Sequence, residues 1–145
     1  MADAKEMSQE TAKIFVEAIQ KQSELLGSWA LAIFGACVLV IVWYAQRRMD
    51  ASKPIPLRAL GSVVGCTILQ GVSIGMMYAA YGAVVNFIPV LHFAKIETAD
   101  EFFAFLTTHG FSQIQILLEA QFFSFFAGVF LLAMFAVVNI RLIRA

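Results

Sequence analysis

The chain has 145 residues, of which 61% are hydrophobic and 14% charged, with ten basic side chains against ten acidic ones; its mean hydropathy is +0.81. A soluble domain carries about 45–50% apolar and about 25% charged residues, so this composition excludes an ordinary water-soluble globule. The even charge balance leaves no basic stripe for nucleic acid, and nucleic-acid binding is not expected.

The few charges are segregated. No Asp, Glu, Lys or Arg occurs between Glu24 and Arg47, between Arg58 and Lys95, or between Glu119 and Arg141. A bilayer core about 30 Å thick needs about 20 apolar residues in helical form, and each gap is long enough. The pattern predicts an all-α polytopic membrane protein with three transmembrane helices, an N-terminal amphipathic helix and a short surface helix before the last span. Residues 1–24 form the amphipathic segment and 25–145 the three-helix domain.

In chain order, the N-terminal segment has Ile14, Phe15, Ala18, Ile19, Leu25 and Leu26 at helical spacing, with Lys13, Glu17, Lys21 and Glu24 between them. This predicts an amphipathic helix from about Ser8 that either lies on a bilayer surface or continues outward from the first span. The acids Asp3, Glu6, Glu10, Glu17 and Glu24 outnumber the lysines here, unlike a cleavable signal. The first span is expected over Leu25 to Tyr44, and the second over Ala59 to Gly82 or slightly beyond. Pro89 is expected to end or kink the helix, so that Ala83 to Ala94 leaves the membrane or lies along it. Thr98-Ala99-Asp100-Glu101 then reads as a helix start, opening a short helix whose FFAFL run rests on lipid. The third span is expected over Glu119 to Ile140.

Orientation follows from the basic residues. Arg47, Arg48, Lys53 and Arg58 crowd the first loop, and Arg141 and Arg144 follow the last span. The positive-inside rule puts that loop and the C-terminus in the cytoplasm and the N-terminus outside. Trp43 and Tyr44 at one interface and Trp29, Tyr78 and Tyr81 at the other agree with this as aromatic anchors. Cys37 and Cys66 then lie at similar depth in the cytoplasmic half, and are read as small apolar packing residues that are not bonded to each other.

The second span gives up much of its side-chain volume. At about 100° per residue, Gly61, Gly65, Gly71, Gly75, Ala79, Gly82 and Ala83 fall on one face, with Asn86 among them. Small residues four apart let helix backbones approach closely in lipid, so this stripe is a candidate helix-packing surface. Gln70, Ser73, Cys66 and Tyr81 fall on the other side. An unpaired amide in hydrocarbon costs several kcal/mol, so Gln70, Ser73 and Asn86 are candidate interhelical hydrogen-bonding groups and the helix is expected to be covered on both sides. The first span adds Ser28, Ala32, Gly35 and Ala36, and the third adds Ala120, Ser124 and Gly128. This is more small surface than one subunit can use.

Phe122, Phe123, Phe125, Phe126, Phe130 and Phe135 surround much of the third span and are expected to face lipid or pack as aromatics; phenylalanine alone supplies no ligand atom. His92, Glu97, Asp100, Glu101, His109 and Glu119 gather around the outer loop, but no histidine pair has metal-ligand spacing. They read as a solvated interface, and neither a metal nor a cofactor is expected. With no catalytic constellation, no enzyme is expected either. The expected partners are the lipid bilayer and either the chain itself or another membrane protein. The favoured function is a non-catalytic membrane subunit, a homo-oligomer or an accessory subunit of a larger complex. The alternative is an oligomeric pore or channel, which resembles phage holins only in small size, three spans and an outside N-terminus.

Overall fold

A computed structural model describes residues 2–50, 57–93, 98–108 and 111–138. They form four helices: α1 (Ala2–Asp50), α2 (Leu57–Phe93), α3 (Ala99–Thr108) and α4 (Phe111–Val138), with no strand among them. Three segments are long and apolar enough to cross a membrane: Lys13–Gln46, Leu60–Ile88 and Phe111–Val138.

α1 is a single helix of 49 residues, about 73 Å long at 1.5 Å per residue. It runs unbroken through residue 24, because its first half is rich in Ala, Glu, Lys, Gln and Met, good helix formers, and has no proline. The Lys13–Glu17 pair at 4.0 Å is exposed and contributes little.

α2 continues beyond Gly82 through Asn86 and Pro89 to Phe93. Pro89 removes one backbone donor, but it sits one turn from the helix end, where few further hydrogen bonds depend on it. α4 likewise starts well before Glu119, at Phe111. Ile114 is buried one turn in, with Leu118 packed on the same cluster.

The start of α3 is a reciprocal cap. The Glu101 amide donates to Thr98 Oγ1 at 3.2 Å, and the Thr98 amide donates to Glu101 Oε2 at 3.3 Å. This capping box satisfies two backbone donors that an isolated helix start leaves open. At the other end, the Thr107 and Thr108 hydroxyls both donate to the Ala104 carbonyl. The FFAFL run does not simply rest on lipid, as the sequence suggested. Phe102 and Leu106, four apart and so on one face, are buried against Val84, Phe87 and Ile114, and Phe15 of α1 meets Phe102 edge-on at 6.0 Å.

α2 is the hub, packed most extensively on α4 and next on α1, whereas α1 and α4 touch sparsely. One apolar cluster, at the end where α3 docks, joins all four helices. A second, around Cys37, Val63 and Cys66, is closed by Ile33, Val40 and Ile41 of α1 and by Leu131, Leu132 and Phe135 of α4. Between them the core is polar.

Candidate functional site

Ser23, Gln70, Ser73 and Gln121 are fully buried and Ser124 is 9% exposed, while Leu39, Phe123 and Val138 are each about 70% exposed. Gln70 and Gln121 are the largest fully buried side chains. The molecule is polar within and greasy without.

Ser23, Gln70, Ser73 and Gln121 each bond to another helix. Ser23 Oγ of α1 donates to Gln121 Oε1 of α4 at 2.7 Å, and Gln121 Nε2 donates back to the Ser23 carbonyl at 3.0 Å. Ser73 Oγ of α2 donates to the Gln121 carbonyl at 3.2 Å. Gln70 Nε2 donates to the Phe125 carbonyl at 3.1 Å, a group already engaged within α4 that can accept a second bond through its other lone pair. Ser124 Oγ donates back within α4, to the Ala120 and Gln121 carbonyls, and Thr67 does the same within α2, to Val63. Gln70 Oε1 and the Tyr81 hydroxyl are the two buried side-chain polar atoms without a hydrogen-bond partner among the described residues.

The glycines divide into two sets. A side chain at Gly128 would collide with the Gln70 amide, and one at Gly27 with the Met77 thioether. These two positions are bare because α2 lies against them. At Gly65 a Cβ would stand 2.9 Å from Leu131 Cδ1, and at Gly71 it would stand 3.8 Å from a Phe34 ring atom. At Gly35, Gly61, Gly75 and Gly82 it would meet nothing within 4 Å. Ala79 and Asn86 are exposed beside them, and Ala83 is partly buried against the α3 end of the bundle. The small-residue face of α2 thus looks largely outward, while its Gln70–Ser73 face packs on α4. On α1, Ser28, Ala32, Gly35 and Ala36 are also exposed.

Cys37 and Cys66 meet in the second cluster as free thiols, Sγ to Sγ 3.4 Å. Equal depth was legible in the sequence, but their facing each other was not. On α4, Phe122, Phe123, Phe126 and Phe130 are exposed and Phe135 packs on the thiol cluster. Glu119 is exposed and accepts from Gln115 Nε2 at 2.9 Å. No group of three or more His, Cys, Asp or Glu among the described residues could hold a metal ion. Lys53, Lys95, Glu97, His109, Arg141 and Arg144 lie outside the described residues, as do the side chains of Arg47, Arg48, Arg58 and His92.

Ser23, Gln121 and Gly27 went unmarked in the sequence. Ser23 and Gln121 are 98 residues apart, and no local period links them. The available signal was Gln121 itself, an amide within an uncharged run. Comparison with protein-family models, with curated proteins and with solved structures returns no match.

Proposed function

We propose that the chain is a non-catalytic integral membrane subunit that assembles through the outward small-residue face of α2, with itself or with a neighbouring membrane protein. The observation that carries this reading is the division of the glycines. A glycine in a helix interior costs about 1 kcal/mol against alanine. At Gly27 and Gly128 the close approach of α2 accounts for it, whereas at Gly61, Gly75 and Gly82 nothing among the described residues does. In lipid, bare backbone of this kind is what an incoming helix packs on. The apolar exterior and the uncharged run within each of the three long helices, between Glu24 and Arg47, between Arg58 and Lys95, and after Glu119, support embedding in a bilayer. The exposed face carries no polar stripe beyond Asn86, which favours packing over a hydrated pore.

Native mass spectrometry of the full chain extracted into mild detergent tests this. The wild type should appear as a multimer or with a co-purifying membrane protein. Gly75→Leu and Gly82→Leu should shift it to a folded monomer, because each added side chain points away from the subunit. Phe130→Leu, on the exposed side of α4, should leave the assembly unchanged. A wild type that is monomeric and alone, or a Gly75→Leu variant that assembles like it, would overturn the proposal.

A further inference from the structure

We propose that Cys37 and Cys66 form a dithiol–disulfide couple that, when oxidised, staples α1 to α2 inside the bundle. The two thiols belong to neighbouring helices joined by the first loop, and their sulfurs are already in contact at 3.4 Å. A disulfide has an S–S length of about 2.05 Å, so the sulfurs must close by roughly 1.4 Å from their 3.4 Å contact. The surroundings select this pairing. Ile33, Val40, Ile41, Leu131, Leu132 and Phe135 wall the thiols in, so the nearest sulfur available to each cysteine is the other.

The same wall sets the class of oxidant. Charged reagents are kept out by the apolar wall, and an uncharged apolar two-electron oxidant delivered from the hydrocarbon phase is the class suited to reach the thiols. With an aromatic disulfide such as 4,4′-dithiodipyridine, one cysteine sulfur attacks and forms a mixed disulfide, releasing one thiopyridone that carries off the thiol proton. The second cysteine attacks the protein-side sulfur of that mixed disulfide, forming the Cys37–Cys66 bond and releasing a second thiopyridone with the second proton. Two thiols are oxidised, one aromatic disulfide is reduced, and no other reactant is needed.

The test is carried out on the full chain in nanodiscs. Treatment with 4,4′-dithiodipyridine should release two thiopyridones per chain. The intact mass should fall by two hydrogens, and digestion should yield one cross-linked peptide pair containing Cys37 and Cys66, reversed by a phosphine. The oxidised chain should melt at a higher temperature than the reduced chain. Cys37→Ser should instead give a single stable mixed adduct on Cys66 and no melting shift. Stable adducts on both cysteines of the wild type, or a disulfide between chains, would overturn the proposal. So would thiols left unreacted under conditions that modify Leu39→Cys, at the exposed surface of α1, in a Cys37→Ser/Cys66→Ser background.

Discussion

Gln121 holds the two ends of the chain together. Its amide both accepts from Ser23 and donates to it, and its own backbone carbonyl takes the Ser73 hydroxyl. Three helices therefore meet at one residue. Interhelical hydrogen bonds in membrane proteins contribute about 0.6 kcal/mol on average and up to about 1.7 kcal/mol, so Gln121→Leu, which removes two of them, should cost on the order of 1–3 kcal/mol. Ser73→Ala, which leaves the Gln121 side chain intact, should cost less. Unfolding of the two variants in mixed micelles, followed by circular dichroism, checks the order; equal loss in both would show that Gln121 is only filling space. Gln70 and Ser73 were visible in the sequence as polar groups needing cover. Their partner is α4, because a backbone carbonyl can accept a second bond through its other lone pair, and Gly128 leaves room for Gln70 to reach Phe125. Reading the glycines alone could not reveal this, since Gly128 and Gly75 look the same in a sequence and differ only in what stands opposite.

At the scale of the element, the three long apolar helices and the start of α3 were legible because both rest on local signals, uncharged length in one case and Thr98-x-x-Glu101 in the other. The end of α2 was not. Proline is a strong stop signal in isolation, but near a helix end it removes little, and Val84 and Phe87 bury against α3 and α4 in the stretch that the proline was expected to end or kink. α3 offers a direct test. Thr98→Ala removes the side-chain oxygen that receives the Glu101 amide, and loss of such a cap costs about 0.5–2 kcal/mol. Amide exchange at Glu101 and Phe102 should speed up roughly tenfold at about 1.4 kcal/mol, while exchange in the middle of α2 stays unchanged. Uniform acceleration over the whole chain would mean that the cap stabilises the bundle globally and not α3 alone.

At the scale of the whole molecule, orientation rests on Arg47, Arg48, Lys53, Arg58, Arg141 and Arg144, the six basic residues expected on the cytoplasmic side. A reporter fused after Ala145 should read as cytoplasmic, and one fused before Met1 as external. Replacing Arg47, Arg48, Lys53 and Arg58 together with glutamine should produce a mixed population, because the two arginines after the last span then carry the bias alone. A uniform reversal in the unaltered chain would invert the proposed topology and turn the α3 end of the bundle toward the cytoplasm.

The hub arrangement also has a consequence for the order of synthesis. α1 and α2 leave the ribosome first, and their buried face includes Ser23, Gln70 and Ser73, whose partners all lie on α4, between Gln121 and Phe125. Until that last helix is inserted, these groups have no mate within the nascent chain. In the bilayer embedding proposed above, the half-made protein presents an unpaired polar surface of the kind that an insertase or a membrane protease would recognise. A chain stopped before Phe111 is expected to carry that surface permanently.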